Sequence, residues 1–171
     1  MRYTALESIF RTLTEAGVRF LVVGGVAVNA HGYQRLTADL DLTLAMDEEN
    51  ILAALRALGA LGYAPALPVS PEALADADTR RRWRDERNLE VFSLISSEER
   101  KPTVDILVRE PFPFDREHQR ALVAELAPGL EVPFVALDTL IAMKERTGRR
   151  RDEDDVHHLR WILEEQGGER D

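Results

Sequence analysis

Residues 20–42 read FLVVGGVAVNAHGYQRLTADLDL, and the fold turns on this stretch. Residues 19–23 (RFLVV) form a short, apolar, β-branched run, the composition of a buried strand. Gly24-Gly25 interrupts it, and residues 26–31 are apolar enough for a short helix packed on a sheet. Residues 37–45 (TADLDLTLA) then alternate strictly, which predicts a second strand. Alternation sends Leu40, Leu42 and Leu44 to the core and leaves Asp39 and Asp41 together on the other face.

Working outward, Leu6, Ile9, Phe10, Leu13 and Ala16 recur at helical spacing over residues 4–16, and Gly17 closes that helix. Downstream, Asp47 has the chemistry of an N-cap, with Asn50 where a capping-box acid usually stands, so residues 51–61 are expected as a helix ended by Gly62. Pro65, Pro68 and Pro71 predict a loop, and the charged segment behind them an exposed helix up to about residue 87. Residues 88–95 and 103–108 are expected as two strands joined by a polar turn over 96–101. Pro111 and Pro113 break the pattern, and residues 132–135 suit one more short strand. Asp138 is expected to cap a helix to about residue 146, and a last helix to cover about 154–165. The expected class is α/β (α+β), a mixed sheet packed by helices. Its core domain spans 1–135, with a C-terminal helical segment, 136–171, packed on it.

The bulk numbers restrict the function. The chain has 171 residues, 44% of them hydrophobic, enough for one packed core. It contains no cysteine, which excludes thiolate metal sites, disulfides and a cysteine nucleophile. No apolar run reaches the roughly 18 to 20 residues of a membrane helix. The opening MRYTALESIFRTLTEAG lacks the apolar centre of a signal peptide, so a cytoplasmic location is expected and no membrane partner. The net charge of -9 is the wrong sign for a dedicated duplex binder. The arginines are nevertheless clumped, at 80–82 with Arg84 and Arg87, and again at Arg146 with 149–151. Each clump reads as a solvated helix face or as a local patch for phosphates.

Chemistry enters through the acids. Asp39 and Asp41, about 7 Å apart on one strand face, repel each other unless a cation lies between them. Asp105, in TVDIL, is a third carboxylate among strand-forming residues. If its strand lies beside that of Asp39 and Asp41, the three converge as hard oxygen ligands of the kind Mg²⁺ or Mn²⁺ select. Such a trio suits in-line displacement at phosphorus. An Asp-x-Asp pair taken alone is more simply the wet face of an amphipathic strand. Gly24-Gly25 changes the balance, because a glycine turn opening a helix presents unhindered N–H groups to anionic oxygens.

An apolar strand, Gly-Gly, a helix and Asp-x-Asp on a strand resemble the signature of the nucleotidyltransferase superfamily, whose fold includes DNA polymerase beta-like enzymes. The flavour, with Arg35 and Thr37 just before the acids, is most similar to abortive-infection toxin nucleotidyltransferases and small antibiotic nucleotidyltransferases. The resemblance implies transfer of a nucleoside monophosphate from an NTP to a hydroxyl acceptor. It makes Asp39, Asp41 and Asp105 the metal-holding and catalytic acids, Asp105 also activating the acceptor hydroxyl. Gly24 and Gly25 would hold the terminal phosphates, and Arg35 and Thr37 touch the triphosphate. His31 reads as a structural cap.

Residues 144–159 (KERTGRRRDEDDVHHL) resemble the closing motif of the same groups. Lys144 is implied as a catalytic cation neutralising phosphate, while Asp152 and Asp155 anchor a helix or bind the acceptor. Adjacent His157 and His158 diverge around a helix and make a poor metal pair. The acceptor stays open among a small molecule, a tRNA end and a protein, with an antitoxin or a second copy as partner. The rival reading is a catalytically silent module of this fold acting through protein contacts.

Overall fold

The computed structural model describes residues 3–98 and 100–168. Glu99, in the expected 96–101 turn, and residues 169–171, at the end of the expected helical segment, lie outside them. Leu6, Ile9, Phe10 and Leu13 build α1 (Tyr3–Glu15), with Gly17 at φ +68° leaving the helix. β1 (Phe20–Val23) is buried along its whole length. α2 (Gly24–Ala30) follows without a loop, starting at the first glycine rather than at Val26. β2 (Asp39–Leu44) buries Leu40, Leu42 and Leu44 completely, as the alternation requires.

α3 (Glu48–Ala60) is capped by Asp47, whose carboxylate accepts from the Asn50 N–H at 2.9 Å. Asn50 faces inward instead of completing a capping box. Its amide donates to the carbonyls of Arg19 and Ala45 and accepts from the Arg19 N–H, tying one end of β1 and β2 to the helix. β3 (Tyr63–Pro65) lies between Gly62 and the expected proline loop, where no strand was expected. Three residues ending in proline carry no strand signal, and proline is tolerated because β3 is a sheet edge. A 3₁₀ turn (Pro71–Leu74) precedes α4 (Ala77–Arg87), the expected exposed helix, pinned by Trp83 stacked on Phe92 at 5.5 Å. β4 (Val91–Ser96) and β5 (Thr103–Leu107) match the two expected strands.

The prolines at 111 and 113 do not keep the chain irregular. α5 (Phe114–Gln119) starts immediately after them, a six-residue helix too short and too polar to show periodicity. β6 (Leu122–Ala127) was also unread, since Leu, Ala and Glu favour helix. It is a strand because it pairs antiparallel with β7 (Leu130–Phe134) across Pro128-Gly129, a turn dipeptide with Gly129 at φ +71°.

Two helix starts differ from expectation. α6 (Leu137–Thr147) is entered through Ala136; Asp138 lies inside the first turn and pairs with Arg120 rather than capping. α7 (Arg150–Gly168) begins four residues early, two residues after Gly148 turns at φ +59°. The acids Asp152 and Glu153 in its first turn offset the arginines there.

Among the described residues, seven strands form one sheet in the order β3-β4-β5-β2-β1-β7-β6. β2 with β5 and β1 with β7 run parallel, and the other neighbours antiparallel, so the sheet is mixed. Leu137, Leu140, Ile141 and Leu159 of α6 and α7 join the same buried cluster as the strand residues. Among the described residues, no helix is long and apolar enough to cross a membrane.

Candidate active site

The parallel pairing of β2 with β5 sets Asp41 directly opposite Asp105 and Asp39 opposite Thr103. On its other side Asp41 faces Val23, the last residue before the glycine turn. Three neighbouring strands thus bring the glycine corner and two acids to one end of the sheet. The turn before β2 and the α6–α7 junction close over that end and leave a cleft of about 580 Å³. Gly24, Gly25, Arg35, Thr37, Asp39, Asp41, Asp105 and Lys144, the eight residues singled out from the sequence, all line it.

The glycines are dictated by crowding as well as conformation. Gly24 has φ +65°, and a Cβ there would lie 1.9 Å from Asp41 Oδ2. A Cβ on Gly25 would lie 2.5 Å from Thr37 Oγ1 and 3.2 Å from Arg35 Nη1. The Gly25 backbone N–H lies close enough to the Asp41 carboxylate to lower its pKa. Burial, then the neighbouring charge of Asp105, pushes Asp41 up to about 6; Asp39 adds to this, while Lys144 and Gly25 oppose it. Asp105 is raised as well, by burial first and by Asp39, against a hydrogen bond from Ser93.

The donor set fits a hard divalent cation. It consists of carboxylate oxygens, and Asp105 Oδ1 is buried with no hydrogen-bond partner among the described residues. Asp41, raised first by burial and then by the charges of Asp105 and Asp39, adds a carboxylate that a cation would favour in its charged form. With Asp41 turned onto the glycine corner, the trio is not drawn together: among the described residues, no three His, Cys, Asp or Glu side chains are gathered closely enough to hold a metal.

Two of the cleft's cations, Arg35 and Lys144, are already paired. Arg35 forks onto Asp155, Nε to Oδ1 at 2.6 Å and Nη2 to Oδ2 at 2.8 Å. Lys144 Nζ is 2.9 Å from both Asp152 and Asp155. Burial pushes Asp152 up, but the Thr147 hydroxyl and Lys144 outweigh it and leave Asp152 below the usual carboxylate range. Asp155 of α7 contacts Arg35 and Lys144, and Asp152 contacts Lys144 and Thr147 while also lining the cleft. The second arginine clump reaches the cleft through Arg146, Arg149 and Arg151. The first, on α4, does not line it; Arg81 and Arg84 pair with Asp78 and Asp85.

His31 ends α2 with its Nε2 2.8 Å from the Val135 carbonyl, and burial lowers its pKa, as suits a structural cap. His158 stacks on Tyr33 at 3.8 Å, and the His157 and His158 rings stand nearly perpendicular. Asn29 was missed in the sequence. It exchanges two hydrogen bonds with the Arg35 backbone, and its only signal was being the one polar residue in VAVNA.

Solved structures with this fold include the antibiotic-resistance factor ANT(2'')-Ia. Its crystal structure in complex with adenylyl-2''-tobramycin is 14% identical, with a TM-score of 0.58 over 98% of this chain and 91% of that one. Its solution structure is 15% identical, TM-score 0.59, over 98% and 85%. A protein of Thermotoga maritima described as a nucleotidyltransferase is 16% identical, TM-score 0.55, over 94% and 92%. No curated protein matches the sequence. The match that reaches beyond fold is to a family model covering residues 9–160, from α1 to α7 and across every residue of the cleft, and by it the chain belongs to the family of nucleotidyl transferase AbiEii toxins of type IV TA systems.

Proposed function

We propose that this cleft transfers a nucleoside monophosphate from an NTP to a hydroxyl acceptor with the help of Mg²⁺ or Mn²⁺, and that the chain is the toxin of a toxin–antitoxin pair. The observation that carries the reading is the direct pairing of Asp41 with Asp105 beside the Gly24-Gly25 corner. Asp39, Asp41 and Asp105 are the residues that would hold the metal. The ion would supply a positive charge that steadies the reacting phosphate and its leaving pyrophosphate.

The chain's own residues supply the rest. Gly24 and Gly25 bring no side chains of their own to the corner, where the Asp41 carboxylate, Thr37 and Arg35 lie against the backbone, and phosphate oxygens would take the place of the Asp41 carboxylate there. Arg35, Thr37 and Lys144 flank that corner and favour the anionic tail. Asp105, raised in pKa, is suited to accept a proton from the acceptor hydroxyl. The rim arginines Arg146, Arg149 and Arg151 disfavour a polycationic acceptor and suit an anionic or neutral one, so a tRNA end stays a candidate beside small molecules and proteins.

Incubation with labelled NTPs, Mg²⁺ and candidate acceptors tests this. Transfer is expected from the unaltered chain and not from Asp39→Ala/Asp41→Ala, and unchanged turnover in that variant removes the mechanism. A second reading, a silent module acting through protein contacts, draws on the spread of the acids and the self-paired cations. It is favoured if no NTP binds with Mn²⁺ by calorimetry.

A further inference from the structure

Arg35 is gripped at both ends by residues that do not themselves line the cleft. Its backbone N–H donates to Asn29 Oδ1 at 3.0 Å, and the Asn29 amide donates to the Arg35 carbonyl at 3.0 Å. Its guanidinium forks onto Asp155, which is fully buried and also binds Lys144 at 2.9 Å. Lys144 bridges on to Asp152, which accepts from the Thr147 hydroxyl at 2.6 Å. Two cations face two carboxylates, so the cluster is neutral as a unit. It joins the turn after α2 to α6 and α7.

A buried ion network is a weak source of stability, because desolvation offsets most of its attraction. Attachment of α7 does not require it: Leu159, one turn beyond Asp155, is fully buried in the common core. What charges do and an apolar contact cannot is fix the direction of two cations, and both line the cleft beside the glycine corner. We propose that Asn29 and Asp155 are positioning residues that hold Arg35 and Lys144 toward the anionic part of a bound nucleotide. This rests on the nucleotide-transfer reading above. Neither residue touches substrate; each acts through Arg35, and Asp155 through Lys144 as well.

The test compares full-length Asp155→Asn, Asn29→Ala and Leu159→Ala with the unaltered chain, each at a temperature where circular dichroism shows it folded. The probes are the four common ribonucleoside triphosphates with Mn²⁺, followed by calorimetry, with KM and kcat measured once an acceptor is known. Asp155→Asn is expected to raise Kd at least tenfold and Asn29→Ala several-fold, through KM more than kcat. Leu159→Ala, which loosens α7 through the core alone, is expected to stay within twofold. Unaltered affinity in both polar variants, or an equal loss in Leu159→Ala, overturns the proposal. Should Asp155→Asn fail to fold, Asn29→Ala against Leu159→Ala decides. No binding by the unaltered chain overturns the nucleotide reading and this proposal with it, whereas binding that survives both polar changes overturns only the proposal.

Discussion

Asp41 Oδ2 occupies the space that any side chain on Gly24 would need: a Cβ there would lie 1.9 Å away. The acid and the glycine therefore constrain each other, although neither is the other's neighbour in the chain. Gly24→Ala carries two costs. The αL backbone at φ +65° contributes about 1–3 kcal/mol for a non-glycine residue, and the collision adds to it. In Gly24→Ala/Asp41→Ala the carboxylate contacts at 1.9 and 2.6 Å are removed, leaving the residue-41 Cβ at 2.8 Å, while the backbone cost stays. Denaturant melts of the two single variants and the double variant should show a coupling of about 1 kcal/mol or more in the favourable direction. Simple additivity would mean that the contact is absent in solution.

The position of Asp41 also fixes a pH dependence. Burial and Asp105, with Asp39, raise it from 3.8 to about 6, against Lys144 and the Gly25 N–H. The folded chain thus holds this proton more tightly than the unfolded chain. The sign is opposite to that of a salt-bridged aspartate: its contribution is present below about pH 4 and is lost as pH rises through 6. Asp41→Asn removes that loss. In metal-free buffer the variant should be more stable than the unaltered chain at pH 7.5, on the order of 2 kcal/mol, with the gap closing toward pH 4. A variant less stable at both pH values would sink this account of the acid.

Why this end of the sheet was legible, and others were not, follows from where the signals come from. Leu40, Leu42 and Leu44 alternate with Asp39 and Asp41 because only the leucine face of β2 is fully buried at its cleft end, although Thr43 farther along is buried too, and burial is what writes a period of two into a sequence. Gly24 and Gly25 were legible as a corner, but their crowding against Asp41 and Thr37 is a contact between distant residues and leaves no local mark. β6 shows the opposite failure. LVAELA has helical preference and becomes a strand only because β7 lies beside it, so pairing overrides propensity. Arg35 and Lys144 were read as phosphate contacts, yet the aspartates that hold them are 120 and 8 residues away. Spacing within a motif could suggest Asp152 for Lys144; it could not suggest Asp155 for Arg35.

The two arginine clumps look alike in sequence and differ in place. Arg149 and Arg151 line the cleft, whereas Arg81 and Arg84 lie on α4 and pair with its own acids. Arg149→Ala/Arg151→Ala should therefore weaken NTP binding about five- to tenfold at low salt, and less as salt rises, since exposed charges are screened within about 10 Å at 0.1 M. Arg81→Ala/Arg84→Ala should leave affinity unchanged at every salt concentration. Calorimetric titrations across a salt series check both. Equal effects from the two pairs would mean a general electrostatic field rather than a local site.

Asn50 tests whether fold and site can be separated. It is 7% exposed and sits at the Arg19–Ala45 end of β1 and β2, whereas Asp41 and Val23 mark the cleft end. Its amide makes three hydrogen bonds, to the N–H and carbonyl of Arg19 and to the carbonyl of Ala45, while its own N–H is capped by Asp47. Asn50→Ala keeps the cap but leaves those backbone groups short of partners, the Ala45 carbonyl in a buried setting and the Arg19 groups in a half-buried one. The Arg19 carbonyl loses least, because it still accepts from the Ala45 N–H at 3.2 Å. The Arg19 N–H and the Ala45 carbonyl carry most of the penalty, so the loss should be about 2–4 kcal/mol. The variant should still bind NTP with unaltered affinity well below its melting temperature, because β1 and β2 keep their register at the cleft end. If affinity falls along with stability, the two ends of these strands are mechanically coupled, and the cleft geometry depends on the tie at Asn50 as well as on the contacts around Asp41.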